Sequence, residues 1–429
     1  MKRISASIIL SFLLATNSFA ASPLPFPTQI YQGKTLKIEV PIFDDQKTTG
    51  TFDGKAVSFY ETVRKPSWDE SITRAEFLKL LFDNYQISAP TQSVTMNFPD
   101  VTKENEYYDY IKKAYSLGII SGYENGTFGP YDPLARSHIA KILVQTFKPK
   151  VTISDAPIFE DVPPSHWHYD YINKAVSAGY FNGYPDGFMR PNRDINFNEA
   201  EIVVKRATAN EEIKTIDTKK YALAYIGVHR LTDIGQKSLT ITSGTTNNYA
   251  ITVLDNVFST RSFYMEETKT ELLGPVQQDN TWTVINAAKA NSTPEQLWDG
   301  PFIVPTEGTI TLTFGDTLYI NDKFSGSHFG IDYANVEGTP INASNSGIVK
   351  LAEETMSYGN TIVIDHGQNV FTMYLHLNEI SVKKDQQVQK GELIGLMGST
   401  GVSTGSHLHF THFVGDIIVD SKEWYEDAL

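Results

Sequence analysis

The sequence predicts a multidomain, mainly β protein with a helical repeat region inserted into it. Three observations support this. Apolar and β-branched runs separated by glycines fill the chain from Ile310 onward. A repeat with an offset of 61 residues and no gap lies at 98–147 and 159–207, each copy reading as helix, glycine-rich loop and helix. Strand-like text lies on both sides of that repeat. The expected divisions are a secretion leader at 1–20, the first part of a small β-sandwich at 24–62, helical repeats at 66–210, the second part of the sandwich at 215–275, a connector at 276–305 and an all-β domain at 306–429.

The leader is read from Lys2 and Arg3, the apolar run Ile8 to Ala15, and Ser18-Phe19-Ala20, which puts small residues at the cleavage positions. No later segment is long and apolar enough to span a bilayer. Lys37-Ile38-Glu39-Val40 and Ala56-Val57-Ser58-Phe59-Tyr60 read as strands, with Asp53-Gly54 as a turn between them. Ala222 to Val228, Ser238 to Thr242 and Tyr249 to Val253 read the same way. Forty residues are too few for an independent sandwich, so the two groups are expected to combine around the repeats. Ala287 to Ala290 suggests a short helix in the connector.

Within the repeats, Phe98-Pro-Asp-Val101 aligns with Phe159-Glu-Asp-Val162. Gly118, Gly122, Tyr123, Gly126 and Pro130 recur as Gly179, Gly183, Tyr184, Gly187 and Pro191. Tyr110, Ile111, Ala114 and Leu117 mark one apolar helix face; Ile139, Ile142, Leu143 and Phe147 mark the next. Ile72-Thr-Arg-Ala-Glu76 begins what reads as the second half of an earlier unit, giving about two and a half units.

A net charge of −14 argues against non-specific binding to nucleic acid or to an anionic membrane. With no cysteine, the chain has no disulfides and no thiolate metal ligands. Any metal must be held by histidine and carboxylate. The 306–429 domain offers both. His328 and Asp332 are four apart, an even spacing that puts them on one face of a strand. His407 and His409 share one strand face, while Leu408 and Phe410 point to the opposite, apolar side. With His376 between them, these residues supply the two imidazoles and one carboxylate of a catalytic zinc site, plus imidazole to spare. Spacing alone leaves open which histidine has which task.

Two family resemblances narrow this. Residues 68–207 resemble S-layer homology modules through Ile-Thr-Arg-Ala-Glu, Phe-x-Asp-Val and Gly-Tyr-x-x-Gly. That resemblance implies a cell-wall polymer as partner, with Arg74 and Arg136 as its binding residues; Phe197 stands at the equivalent place in the last unit. Residues 326–410 resemble a lysostaphin-type zinc endopeptidase domain. The resemblance runs through His328-Phe-Gly-Ile-Asp332, Tyr358-Gly-Asn-Thr-Ile-Val-Ile-Asp-His-Gly367, Met373-Tyr-Leu-His-Leu377 and Gly398 to Phe410 with its His-Leu-His. It implies an all-β metallopeptidase domain of the duplicated-hybrid-motif type. It also implies one zinc ion on His328, Asp332 and His409, and His376 and His407 as catalytic histidines. Thr411-His412-Phe413 departs mildly from the family's usual continuation, and His366 and His412 read as structural or surface histidines.

The function these resemblances imply is a secreted zinc endopeptidase, in the wall or periplasm, that cuts peptide cross-links of peptidoglycan and is tethered by its helical repeats. The alternative is a non-catalytic adaptor that recruits or activates another hydrolase.

Overall fold

The computed structural model describes residues 26–42, 47–67, 70–88, 94–151, 159–184, 186–216, 218–271 and 275–425. The leader expected at 1–20 lies outside the described residues. Among those residues no helix is long and apolar enough to cross a membrane.

The chain begins with β1 (Gln29–Tyr31), β2 (Thr35–Pro41), β3 (Thr49–Phe52), β4 (Lys55–Val57) and β5 (Tyr60–Arg64). Asp53 and Gly54 both take left-handed φ, 49° and 77°, as a two-residue hairpin turn requires. The sequence reads 56–60 as one strand. In the structure it breaks after Val57, and Tyr60 opens a strand of a different sheet. Five helices follow: α1 (Arg74–Asn84), α2 (Tyr108–Ser116), α3 (Arg136–Phe147), α4 (Tyr169–Ser177) and α5 (Phe197–Thr208). Then come β6 (Lys219–Gly227), β7 (Gly235–Ser243), β8 (Thr245–Leu254) and β9 (Thr260–Phe263). One sheet runs β1-β8-β7-β3-β4 and another β2-β6-β5, so strands from both sides of the helices interleave. Leu36, Ile38, Val40, Ile226, Leu239 and Ile251 share one buried core between them. Arg64, closing β5, lies directly opposite Lys219, opening β6. The chain therefore leaves this sheet after Arg64 and returns to it at Lys219, at neighbouring points.

Each repeat motif has a physical task. Thr73 and Glu76 form a capping box at the start of α1: the Glu76 amide donates to the Thr73 hydroxyl and the Thr73 amide donates to the Glu76 carboxylate. Asn196 and Glu199 do the same for α5, whereas Ala135, ahead of α3, offers no cap. Asp100 accepts from the amides of Phe128 and Gly129, and Asp161 from those of Met189 and Arg190, clamping the two glycine-rich loops. A Cβ on Gly122 would lie 2.5 Å from the Phe98 ring, and one on Gly183 2.2 Å from that of Phe159. The Phe-x-Asp-Val and Gly-Tyr motifs are thus two halves of one contact.

The arginines reach from one unit into the next. Arg74 Nε donates to the carbonyl of Phe128, and Arg136 Nε to that of Met189. Both guanidiniums lie over aromatic rings, Tyr123 and Phe128 for Arg74, Phe181 and Tyr184 for Arg136. Phe197 begins α5, the second helix of the last unit, which has no successor loop to hold, and it is buried instead. The units also close on one another. The Leu134 amide donates to Ile72, that of Ile195 to Leu134, and that of Ile72 to Ile195, at 3.0–3.1 Å. This three-membered ring of buried isoleucine and leucine explains why half a unit at the front is enough: α1 fills the third place against α2 and α5.

After α6 (Glu267–Thr270) comes α7 (Pro275–Lys289). The helix expected at 287–290 is therefore only the end of a much longer one. Its Thr281-Trp-Thr-Val-Ile285 run is rich in β-branched residues, which lower helix propensity. Packing overrides this: Ile285 is fully buried beside Leu351, Val363, Met373 and Phe413.

The remainder is β10 (Thr309–Leu312), β11 (Thr317–Ile320), β12 (Lys323–Ser327), β13 (Ile331–Ala334), β14 (Pro340–Asn342), β15 (Gly347–Thr355), β16 (Gly359–Gly367), β17 (Val370–Leu377), β18 (Glu379–Ile380), β19 (Gln387–Val388), β20 (Leu393–Leu396), β21 (His407–Val414) and β22 (Ile417–Val419), closed by a 3-10 turn at Ser421–Trp424. The main sheet runs β10-β13-β21-β17-β16-β15-β19, with β22 beside β21. One face buries Ile331, Ile362, Tyr374, Leu408 and Phe410; the other packs on α7. Two small sheets, β12-β11-β9 and β14-β20-β18, flank it.

Helices and strands are joined by a buried ion network. Lys219 Nζ lies 2.9 Å from Glu70 and 3.0 Å from Glu76, and the Tyr221 hydroxyl donates to Glu70 at 2.7 Å. Removing one member of such a network strands the others in low dielectric. Lys219→Ala is expected to lower unfolding free energy by about 3–5 kcal/mol, measured by urea titration; a loss under ~1 kcal/mol would show that water reaches the carboxylates.

Candidate metal and catalytic site

The site is built on two antiparallel strands. In the pairing of β13 with β21, Asp332 lies opposite His409 and Ala334 opposite His407. Alternation along β21 sends Leu408 and Phe410 into the core and leaves His409 and Thr411 on the other face. The sequence reading put His328 and Asp332 on one strand. The structure corrects this: His328 lies between β12 and β13, in non-strand backbone. The chain bends there because Gly330 runs against β21. A Cβ at that position would lie 2.4 Å from the Phe410 carbonyl oxygen and 2.6 Å from His409 Nε2.

Three donor atoms converge. His328 Nε2 and His409 Nδ1 lie 3.0 Å apart, and Asp332 Oδ1 lies 3.1 Å from the first and 2.8 Å from the second. All three residues are buried. The outer nitrogens set the tautomers. His328 Nδ1 faces the Thr313 carbonyl at 3.1 Å, which can only accept, so Nδ1 carries the proton and Nε2 a lone pair. His409 Nε2 lies 3.0 Å from the Thr411 hydroxyl, which can take its proton; in that tautomer the Nδ1 lone pair faces inward. Two lone pairs and a carboxylate oxygen then share one buried point, an arrangement that a divalent cation resolves. Two neutral imidazoles and one carboxylate suit zinc. Burial opposes ionisation of Asp332, but when His328 and His409 are protonated their charge and hydrogen bonds outweigh it and hold the carboxyl well below the usual range. Burial pushes His409 down to about 4.

His376 and His407 stand beside this group, their ring centroids 4.9 Å apart. His376 takes a left-handed φ of 67°, a costly backbone state for a non-glycine residue. Its Nδ1 donates to the Thr400 carbonyl at 2.8 Å, so Nε2 is the free nitrogen. Burial, with His407 and His409 nearby, pushes His376 down to about 3. His407 Nδ1 donates to the Gly405 carbonyl at 2.8 Å, and its Nε2 lies 3.7 Å from Asp332 Oδ2. All five residues open into one cleft of about 490 Å³. Arg74 and Arg136 lie apart from it, in the helical region. His366 and His412 are fully buried, not at the surface: His366 is held by Ser346 and Thr372, and His412 stacks on Trp424.

Sequence reasoning missed the partners that set the tautomers. Thr313 and Thr400 act through backbone carbonyls and leave no side-chain signal. Thr411 was readable: it is the next residue on the His407-x-His409 face. Tyr358, half of a Tyr-Gly motif, lines the cleft against Trp282 and Phe329.

Residues 326–420 match the model of Peptidase family M23, and residues 97–140 and 158–200 match the S-layer homology domain. Over 83 residues the chain is 47% identical to the Peptidoglycan DD-endopeptidase ShyA of Vibrio cholerae serotype O1, covering 19% of this chain and 19% of that protein. It is 46% identical, with the same coverage, to the DD-carboxypeptidase/endopeptidase Mpg of Neisseria meningitidis serogroup B. The matches thus span about a fifth of the length of these relatives. Among solved structures, the catalytic domain of the antimicrobial peptidase lysostaphin from Staphylococcus simulans is 31% identical, with 28% of this chain and 92% of that one covered and a TM-score of 0.26.

Two outcomes are expected. Thr411→Val removes the acceptor for His409 Nε2 and should weaken zinc affinity about 10- to 100-fold, read by competition with a chromophoric chelator. His366 is pushed by burial to about 4, so the unfolded chain binds its proton first as pH falls. The stability this histidine contributes is complete above about pH 6.5 and is lost below it, by roughly 2 kcal/mol at pH 5. Urea titrations at pH 7 and 5 should show a loss that includes this share, and His366→Asn should shrink it by about 2 kcal/mol.

Proposed function

From a chain that carries a C-terminal lysostaphin-type M23 peptidase domain and upstream S-layer homology domains, we propose an exported zinc endopeptidase that hydrolyses peptide cross-links of peptidoglycan and is anchored to the wall by its helical modules. The supporting observation is the convergence of His328 Nε2, Asp332 Oδ1 and His409 Nδ1 in a cleft that also holds His376 and His407. The proposal includes removal of the leader at 1–20 and insertion of the helical modules, residues 66–210, into the sandwich made by 24–62 and 215–275.

His328, Asp332 and His409 hold the ion. When bound, zinc supplies a Lewis acid that polarises the scissile carbonyl and makes water a competent nucleophile near neutral pH. The other steps belong to the chain. His376, neutral well into the acidic range and with its Nε2 lone pair open, accepts a proton without first losing charge. His407, oriented by the Gly405 carbonyl, presents Nε2 on the same side. One histidine takes the water proton on Nε2; the other enters the step protonated on Nε2, steadies the developing oxyanion and gives that proton to the leaving amine, so that the pair ends with one proton as it began.

Metal analysis of the purified protein, paired with mass spectrometry of fragments released from isolated sacculi, tests this reading. One zinc per chain and newly exposed peptide ends are expected. His409→Ala should lose both zinc and release. His376→Ala should keep zinc but lose roughly 10²-fold or more in turnover. Zinc without any release from sacculi would turn the reading to the adaptor.

Wall anchoring is tested separately. Arg74 is buried against the Phe128 carbonyl, so a carboxylate there would unfold the module. Arg74→Gln is the cleaner probe and should weaken co-sedimentation with sacculi while a soluble peptide is still cut. Undiminished sedimentation would remove Arg74 from polymer binding.

A further inference from the structure

One wall of the cleft comes from outside the matched peptidase segment. β9 (Thr260–Phe263) pairs in parallel with β11, placing Arg261 beside Leu318 and Phe263 beside Ile320. Alternation sends Arg261, Phe263, Leu318 and Ile320 toward the cleft, where all four line it. The matched segment begins only at residue 326, so β9 and β11 lie outside it.

Arg261 is the only lysine or arginine among the described residues lining the cleft, and Asp332, occupied with His328 and His409, is the only carboxylate. The guanidinium has a buried carboxylate on one side. Its Nε lies 3.6 Å from Asp316 Oδ2, a carboxylate whose side chain is 1% exposed while that of Arg261 is 53% exposed. Asp316 is fixed in turn: it accepts from the Thr313 amide and hydroxyl, and its backbone carbonyl accepts from the His328 amide at 2.8 Å. Asp316 alone therefore stands between the arginine and His328. With Nε turned to Asp316, the two terminal nitrogens form a fork on the open side, the geometry that takes a carboxylate bidentately. The apolar side chains of Phe263, Leu318 and Ile320 beside it fit a small alkyl group but give an anion no other partner.

We propose that Arg261 is a specificity-determining residue that binds a carboxylate of the substrate peptide, so that the cleft selects peptides with a free carboxylate close to the scissile bond. This rests on the peptidase reading above and narrows its substrate class. The role is one of binding, with Asp316 as the residue that positions the guanidinium.

The probe is a pair of peptide dimers purified from sacculi, one with its terminal carboxylates free and one with them converted to amides. Binding to the zinc-loaded full chain is measured by calorimetry and cleavage by chromatography. The wild type should favour the free acid about 10- to 100-fold, the scale of a hydrogen-bonded charge pair. In Arg261→Gln the acid-to-amide ratio should fall to near one, and Arg261→Lys should restore part of it, with thermal midpoints confirming that each variant is folded. A wild type indifferent to amidation, or an Arg261→Gln protein that keeps the preference, would overturn the assignment. Selective binding of the acid without cleavage would defeat the peptidase reading and leave Arg261 in place; cleavage without selectivity would do the reverse.

Discussion

Asp332 faces His409 across an antiparallel ladder, and the chemistry at this end of the molecule depends on that register. Strand side chains alternate, so a slip of one residue would send His409 into the core and bring Leu408 to the metal face. The register is held from both sides: Leu408 and Phe410 are fully buried, and β17 flanks β21 with Tyr374 opposite Phe410 and Leu375 opposite His409. The ligand pair therefore borrows its precision from apolar packing on the opposite face. Gly330 completes the arrangement by letting the chain before β13 press close enough for His328 to arrive from a loop.

Much of this was legible in the sequence because period and pattern are strong where a sheet is buried on both faces. The alternation of His407, Leu408, His409 and Phe410 announced both a strand and its two faces. The even spacing of His328 and Asp332 suggested a single strand, but even spacing cannot distinguish a continuous strand from a bend closed by a glycine. The polar partners of the imidazoles were mostly hidden, since a backbone carbonyl such as that of Thr313 or Thr400 belongs to every residue type. The long helix α7 was invisible for a different reason. Its residues favour strand locally, and burial of Ile285 on the sheet decides the outcome.

The repeat motifs divide into separate tasks once their contacts are known. The Thr-Arg-Ala-Glu text combines a helix cap with an arginine that reaches the following unit. The first unit keeps both, the second keeps only Arg136, and the third keeps only the cap formed by Asn196 and Glu199. A motif that decays in this pattern is following structural need. The last unit has nothing after it to grip, and the middle helix, held by neighbours on both sides, tolerates an uncapped start.

Closure of the three units also limits how this region can evolve. An open array of repeats can be lengthened by duplication, because each new member stacks on a free end. Here Ile72 already donates to Ile195, which closes the ring. A further copy would have to break an existing backbone link to enter, so stronger retention would have to come from changes on the present surfaces or from a second complete set elsewhere in the chain.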